Sequence, residues 1–390
     1  METKNEIIKL AMKPVFISAN NIISPLGFDS ETNVANIAQE KYGISLQNDS
    51  SLFSKPFYAS KITETFLEEA FQKITDGKIY TKLEKMMILS LKDTITKASF
   101  SISDKTALII STTKGNINVL EQNSSFEKKR SYLPVLGEKI KTFFGFKNEP
   151  IIVSNACVSG VLSVAIAKRF IQSGFYENAF IVSGDILSKF ILSGFNSFQA
   201  ISNAPCKPFS KNRKGITIGE AAASVAITSI KDKNQENIQI IGDGSCNDAN
   251  HISGPSRTGE GLFRSIESAM KEAKINANEI DYISAHGTAT SFNDEMESIA
   301  LNRSNLSTIP VNSLKGYYGH TLGASGLLET IIGIHSLKKN TLFTSLGFDE
   351  LGVSKPLQII EKTTTKSLRT FLKTASGFGG CNTAVLFKKV

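Results

Sequence analysis

One cysteine stands where two sequence patterns meet. Cys157 lies in the segment SNACVSG (154–160), after the β-branched run 151–153 and before a helical pattern that starts at Ser159. The first peptide N–H groups of a helix have no partner within it and carry partial positive charge, so they favour a thiolate and can hold an oxyanion. Cys157 is therefore a candidate nucleophile. The alternative is a small buried hydrophobe that closes a strand-to-helix turn.

Three further segments carry groups that could work with this thiol. The segment AHGTAT (285–290) places His286 at a predicted strand end, KGYYGH (315–320) carries Lys315 and His320 on one loop, and SGFGGCN (376–382) is rich in glycine. A thiol can hold an acyl group, and backbone N–H groups of a Gly-rich loop can bind an oxyanion. Two neutral imidazoles could donate Nε2–H bonds to the enolate oxygen formed when a malonyl thioester loses carbon dioxide. The set suits carbon–carbon bond formation from thioesters, and we expect no cofactor and no metal.

The elements that must position these groups follow an α/β order. The alternation continues on both sides of a polar stretch near residue 230. We therefore predict two parts, 1–230 with the nucleophile and 231–390 with the histidines. Strands are predicted at 14–23, 105–111, 150–156, 178–183, 221–228, from 238, 281–284, 309–313, 371–374 and 384–387, and helices at 83–98, 159–172, 259–274, 294–302 and 324–337.

Composition narrows the functional classes. The 390 residues are 41% hydrophobic, and they show neither an apolar run of membrane-spanning length nor a signal-peptide pattern, so we expect the cytoplasm and no membrane span. Four cysteines without CxxC pairing indicate free thiols rather than disulfides or zinc. The net charge of +8 suits an acidic partner, but the basic clusters are short, which argues against nucleic acid.

The order and spacing of these motifs resemble the β-ketoacyl carrier-protein synthases of the type II elongating kind, within the thiolase-fold superfamily. The resemblance covers nearly the whole chain. It is carried by SPLG (24–27), NACVSG (155–160), PF (208–209), GE (219–220), NDANH (247–251), HGTAT (286–290), ND (293–294), Lys315, GH (319–320), Glu329 and GFGG (377–380). It implies a five-layered αβαβα fold of two similar halves, and it also implies a dimer.

The resemblance assigns roles by position. It implies Cys157 as the nucleophile, His286 and His320 as the decarboxylation pair, and Lys315 as an ordering charge. The N–H groups of Cys157 and Phe378 would form the oxyanion hole, with the Phe378 ring as a gate over the acyl pocket. The residues expected to bind substrate or support its binding are Thr288, Thr290, Ser253, Gly377, Gly379 and Glu329, of which Thr288 and Thr290 would contact the pantetheine arm and Glu329 would anchor Lys315.

The resemblance also implies a protein partner. Acyl carrier proteins are acidic and deliver the phosphopantetheine themselves. Lys129, Arg130 and Lys207 fall where such synthases meet the carrier, so we expect charge steering there. The partner chain would be a second copy or a synthase-like chain in a heterodimer.

Some residues depart from the family pattern. Ser210 and Lys214 replace acidic residues, Ser253 stands where the family has a threonine, and Ser376 replaces a bulky aromatic residue beside the Gly-rich loop. These changes leave the catalytic set intact but could reshape the acyl pocket or its gate. Chain length therefore stays open, as does the choice between primary fatty-acid synthesis and a specialised polyene or polyketide pathway.

Two other functions remain as alternatives. Thiolases use a second cysteine near the C-terminus as a base, which Cys381 could provide, and some synthase-like chains are chain-length-determining partners without an active thiol. The segment HGTAT argues against the first and Cys157 against the second. We expect Cys206 and Cys246 to be inert and His335 to be structural, and we expect a rim or packing role for His251.

Overall fold

The computed structural model describes residues 13–122, 124–233, 236–248 and 254–390. The strands in these ranges are β1 (Phe16–Ile23), β2 (Ser45–Gln47), β3 (Phe57–Ser60), β4 (Thr106–Ser111), β5 (Ile151–Val153), β6 (Asn178–Asp185), β7 (Ile218–Gly219), β8 (Ala221–Thr228), β9 (Ile238–Asn247), β10 (Tyr282–Ser284), β11 (Pro310–Asn312), β12 (Thr341–Leu342), β13 (Gln358–Ile359), β14 (Thr364–Thr365), β15 (Thr370–Gly377) and β16 (Cys381–Lys389). The helices are α1 (Ser30–Ala38), α2 (Glu64–Gln72), α3 (Lys82–Lys97), α4 (Leu133–Phe144), α5 (Ser159–Gln172), α6 (Lys189–Ser197), α7 (Glu260–Ala273), α8 (Ser291–Arg303), α9 (Lys315–Tyr318) and α10 (Ser325–Lys339).

A sheet of eleven strands runs through the described residues in the order β13-β11-β10-β15-β16-β9-β1-β8-β6-β4-β5. It consists of two units that meet where the start of β1 pairs with the start of β9. Outward from that junction, each unit has two antiparallel pairings and then two parallel ones, and the second unit adds a further parallel pairing, of β11 with β13. The chain order of the strands is also the same, since β1, β8, β6, β4 and β5 match β9, β16, β15, β10 and β11. The expected two similar halves are therefore present.

Alternating side chains of the strands feed three separate cores. In β4, Ile109 belongs to a central core, whereas Leu108 and Ile110 belong to an outer core that also contains residues of α3. In β15, Phe371 belongs to the central core and Leu372 to a second outer core with residues of α7 and α8. Period-two alternation is expected when both faces of a sheet are covered.

Helices α5 and α10 form the central layer, because each contacts strands of both halves. Helix α3 covers the outer face of one half and α7 that of the other. The layers thus follow the order αβαβα, as predicted. The proposed division at residue 230 falls between β8 and β9 and stays a prediction.

The central helices meet at their N-terminal ends, next to the loops that follow β5 and β11. A Cβ on Gly160 would lie 2.6 Å from Leu327 N, and a Cβ on Gly326 would lie 2.5 Å from Val161 Cγ2. Only residues without a side chain allow this approach. The contact brings the start of α5, after Cys157, against the start of α10.

Two predicted boundaries were displaced by capping and turn geometry. The strand predicted at 150–156 ends at Val153, because the chain turns at Asn155 and Ala156, which has φ 44°. The helix predicted at 294–302 begins at Ser291, where the Thr290 side chain accepts a hydrogen bond from Asn293 N. All four cysteines are free, as expected.

Candidate active site

The turn before α5 fixes the position of Cys157. Ser159 Oγ accepts a hydrogen bond from Asn155 N at 2.8 Å and donates one to Ala156 O at 2.6 Å. Ala156 has a positive φ of 44°, which is uncommon for a residue with a side chain and is typical of strained functional turns. Cys157 follows this turn and lines a cavity of about 570 Å³.

The electrostatics of the thiol differ from the sequence-based expectation. Helix geometry predicted a favoured thiolate, but burial raises the pKa of Cys157 to about 12; the neighbouring Cys381 raises it further, while the Lys315 charge lowers it. Desolvation of the anion thus outweighs the positive charge nearby. The resting residue is a neutral thiol, so a nucleophilic role for it would require a proton acceptor within the site.

Two histidines line the same cavity and face each other. The rings of His286 and His320 lie 5.3 Å apart between centroids, at an interplanar angle of 80°. Leu322 N donates to His320 Nδ1 at 3.2 Å, so the ring proton of the neutral form is on Nε2, which is buried without a partner among the described residues. Lys315 Nζ lies 3.4 Å from His286 Nδ1, which likewise favours the Nε2–H tautomer.

Both imidazoles are neutral at physiological pH. Burial, and then the charge of Lys315, lower the pKa of His286 well below its ordinary value. The same two causes, in the same order, lower the pKa of His320 to about 3. The pair can therefore present two neutral N–H donors to a developing oxyanion and can also accept a proton.

Charged side chains hold the histidine backbone. Lys315 Nζ donates to His286 O at 2.5 Å and to Glu329 Oε1 at 2.7 Å. On the other side of the strand end, Glu297 accepts hydrogen bonds from His286 N at 2.8 Å and Gly287 N at 2.7 Å. Glu329 thus contacts Lys315, the anchoring contact implied by the resemblance. It does not line the cavity, which favours an indirect role through Lys315 over the predicted place among the substrate-binding residues.

A second carboxylate shapes the threonine segment. Asp294 accepts from Thr288 N at 2.9 Å and from Phe209 N at 2.7 Å, and burial raises its pKa to about 6. Thr288 and Thr290, whose hydroxyls lie 2.9 Å apart, both line the cavity. The sequence interpretation gave no role to Glu297 or Asp294. The spacing of Asp294 and Glu297, one helical turn apart at the start of α8, was the available signal.

The β15–β16 hairpin closes the site over the thiol. A Cβ on Gly377 would lie 3.1 Å from Cys157 N, which places the turn carrying Phe378 N–H beside the N–H of Cys157. Gly379 and Gly380 have φ of 85° and 77°, which explains the glycines there. Gly377 and Phe378 line the cavity, whereas Gly379 does not.

An aromatic lid covers the cavity, formed by Phe195, Phe198 and Phe378. The Phe378 ring lies 5.6 Å from that of Phe195 and 5.5 Å, edge to face, from that of Phe198. Phe378 is 37% exposed, so the lid lies between the interior and solvent. Phe378 was predicted from its motif, whereas Phe195 and Phe198 belong to no motif and reach its ring through the position of α6.

The basic residues expected to contact a carrier protein differ in whether their charge is already used within the protein. Arg130 donates to both oxygens of Glu84, at 2.7 and 2.6 Å, and the Glu84 side chain is fully buried. The guanidinium compensates this buried charge, which argues against the predicted carrier contact of Arg130. Lys129 and Lys207 are exposed and form surface ion pairs with Glu127 and Asp349.

Two other cations lie at the cavity mouth. Lys214 and Arg257 are exposed and line the cavity, and no acidic residue in the described ranges pairs with either of them. Lys214 was noted only as a departure from the family pattern, and Arg257 was missed. His251 and Ser253 lie outside the described residues.

No helix within the described ranges has the length and apolar character to cross a membrane. The same residues contain no group of three or more His, Cys, Asp or Glu side chains that could hold a metal ion. The expectation of no cofactor stays a prediction.

Comparison with known proteins places this geometry in context. A putative mitochondrial 3-oxoacyl-[acyl-carrier-protein] synthase of Schizosaccharomyces pombe is 26% identical, over 97% of this chain and 99% of that protein. Among solved structures, the ishigamide ketosynthase/chain length factor superposes with a TM-score of 0.87 at 21% identity, over 97% of this chain and 100% of the other. A ketosynthase in complex with its chain length factor from Xenorhabdus doucetiae superposes with a TM-score of 0.83 at 22% identity, over 97% of this chain and 98% of the other.

The family models agree with the motifs. The N-terminal domain model of the β-ketoacyl synthases matches residues 12–233, and the C-terminal domain model matches residues 239–349. Together they account for most of the chain. With a thiol, two neutral imidazoles and a glycine hairpin in one cavity, this chain belongs to the β-ketoacyl synthase family.

Proposed function

We propose that this chain is a β-ketoacyl-acyl-carrier-protein synthase that condenses an acyl group, held on Cys157, with a malonyl carrier protein. The observation that carries the proposal is the meeting of a buried thiol with two neutral imidazoles whose Nε2–H groups are free to donate. The family membership and the names of the relatives support it.

The first half-reaction loads the thiol. Cys157 Sγ attacks the thioester carbonyl of an acyl carrier protein, and its proton passes to a neighbouring imidazole. The tetrahedral oxyanion is stabilised by the N–H groups of Cys157 and Phe378. Collapse forms the new thioester, and the carrier thiol leaves with the proton.

The second half-reaction forms the carbon–carbon bond. The malonyl thioester carbonyl accepts hydrogen bonds from His286 and His320, which stabilise the enolate as carbon dioxide leaves. The enolate carbon attacks the Cys157 thioester, and collapse releases the β-ketoacyl carrier protein. The Cys157 thiolate released in this step takes up a proton from water.

The thiolase alternative depends on Cys381 as a base. Its Sγ lies 3.4 Å from Phe378 O and 3.8 Å from Asn155 O, behind the hairpin, and it does not line the cavity. Burial raises its pKa to about 11. Both observations favour a synthase over a thiolase. The presence of Cys157 favours a synthase over a chain-length-determining partner, which would have no active thiol.

Mass spectrometry after incubation with an acyl carrier protein tests the loading step. We expect an acyl adduct on Cys157, no adduct in Cys157→Ser, and a normal adduct in the matched cysteine variant Cys246→Ser. No adduct on the wild-type chain would contradict the enzyme hypothesis. Condensation with malonyl carrier protein then separates a synthase from a thiolase.

The charge distribution supports an acidic carrier as partner. Lys129 and Lys207 keep exposed ammonium groups, and Lys214 with Arg257 adds charge at the cavity mouth. Charge reversal at Lys129 and Lys207, and separately at Lys214 and Arg257, should raise the apparent KM for acyl carrier protein but not for a small acyl thioester. Equal effects on both substrates would contradict charge steering.

We also propose a dimer, as a homodimer or with a synthase-like chain. Strand β5 lies at the end of the sheet, so its outer backbone groups are available for pairing with another chain. The two structures named above include a chain length factor. Light scattering of the purified chain, alone and with such a partner, distinguishes a homodimer from a heterodimer. The cytoplasmic location stays a prediction.

A further inference from the structure

Behind the two histidines, a second buried lysine shares the carboxylate that anchors Lys315. Lys373 of β15 is fully buried, and its Nζ lies 2.7 Å from Glu329 Oε2. Lys315 Nζ lies 2.7 Å from the other oxygen, Oε1. One carboxylate therefore pairs with two ammonium groups, which leaves the triad with one excess positive charge.

Lys373 also holds the strand that carries His286. Its Nζ donates to Ser284 O at 3.1 Å, Ala285 O at 3.2 Å and Thr374 O at 2.8 Å. Lys315 takes the next carbonyl, that of His286. The two lysines thus bind three consecutive carbonyl groups at the end of β10.

The charged groups around the imidazoles come from four elements. Lys315 comes from α9, Lys373 from β15, Glu329 from α10 and Glu297 from α8, and the two rings also face each other. Glu297 binds the backbone N–H groups of His286 and Gly287 and the Thr374 hydroxyl. Its carboxylate is thereby held by three hydrogen-bond donors.

We propose that Lys373 is a positioning residue whose excess charge keeps His286 and His320 unprotonated and stabilises the enolate formed between them. The inference rests on the proposed synthase function for its catalytic part. In agreement with it, the Lys373 charge lowers the pKa of both histidines, after burial and Lys315, whereas Glu329 raises that of His320. Positive charge close to an oxyanion site stabilises the transition state in which the anion develops.

A charge-counting experiment separates this role from simple packing. The variant Lys373→Gln removes one positive charge but keeps N–H donors, so the triad has no net charge. The double variant Lys373→Gln with Glu329→Gln restores the net charge of +1, which is then on Lys315 alone. Ring-labelled histidine in NMR follows the four histidines of the chain without substrate. We expect the His320 protonation midpoint to rise by on the order of one pH unit in the single variant and to fall back in the double one.

Similar upward shifts of the His320 protonation midpoint in the single and the double variant would indicate loosening of the site and would overturn the proposal. The absence of a shift in both variants would also overturn it. If Lys373→Gln does not fold, Lys373→Met fills a similar volume and serves as the neutral variant, alone and with Glu329→Gln. Malonyl decarboxylation should fall about tenfold in the neutral single variant, with acyl loading of Cys157 nearly unchanged. A parallel fall in loading would also overturn it. Because the titration needs no substrate, failure of the proposed function would show separately, as a missing acyl adduct.

Discussion

Adding one methyl group to Gly377 should separate the folding of the hairpin from the chemistry of the thiol. Gly377 does not have a positive φ, so alanine is compatible with its backbone conformation. The added Cβ would lie 2.8 Å from Cys381 Sγ, 3.1 Å from Ala156 Cβ and 3.1 Å from Cys157 N. The expected effect of Gly377→Ala is therefore steric.

The distances set the size of the effect. Overpacking a tight site costs about 1–3 kcal/mol, so the free energy of unfolding should fall by that amount. The N–H of Cys157 must also move by a few tenths of an ångström. Because removal of one oxyanion donor slows a reaction about 100- to 1,000-fold, its displacement should slow loading by roughly 10- to 100-fold. The assay is the time course of acyl-Cys157 formation by mass spectrometry, beside urea unfolding.

A second substitution separates the two contacts. Adding Cys381→Ala removes the sulfur at 2.8 Å but leaves the Cys157 N contact at 3.1 Å. Stability should recover in the double variant, whereas loading should stay slow. Gly194→Ala is the matched control, since a Cβ there meets nothing within 4 Å. Loading by Gly377→Ala within twofold of wild type, or full recovery of loading in the double variant, would refute the reasoning.

Three further predictions concern other parts of the molecule. Arg130→Met should cost about 3–5 kcal/mol of stability, because it leaves the buried Glu84 charge unpaired, and should not change the KM for acyl carrier protein in steady-state assays. Burial lowers the pKa of His335 to about 4, so its contribution to stability is full above the unfolded value and falls as pH drops from 6.5 toward 4. The free energy of unfolding of the wild type should fall between pH 7 and pH 5, and His335→Gln should make that fall smaller by about 2 kcal/mol, measured by urea unfolding. Phe198→Ala removes an edge-to-face contact with Phe378 worth about 1 kcal/mol, so the lid should open several times more often, and hydrolysis of acyl-Cys157 without malonyl carrier protein should quicken accordingly; an unchanged adduct lifetime would contradict this.

The sequence was informative where local pattern decides structure. The strands and helices that flank Cys157 and the histidines were predicted, because period-two and helical alternation reflect burial on sheet faces and in the central layer. The boundary error after Val153 arose because strain at Ala156 depends on the tertiary turn, not on residue preference. The order of the motifs along the chain was sufficient to identify the family.

Electrostatic properties could not be predicted in the same way. The thiolate expected for Cys157 depended on a helix end, but its pKa is raised by burial, a property of the whole fold. Arg130 stands in an exposed-looking KKR cluster, yet it pairs with Glu84, which is 46 residues away in sequence. Lys373 lies in a β-strand pattern and gave no sign that it shares Glu329. Such pairings depend on contacts between distant elements.

The matching strand order of the two halves gives Cys157 and His320 corresponding places in the fold. The loops that carry Cys157 and His320 each follow the third large-sheet strand of their own half, β5 and β11, and each leads into a central helix. The two loops are therefore topologically equivalent, and a thiol lies in one half where an imidazole lies in the other. Gly160 and Gly326 lie at the starts of the two helices that these loops lead into, so a side chain at either position would separate the helix ends and, with them, Cys157 and His320.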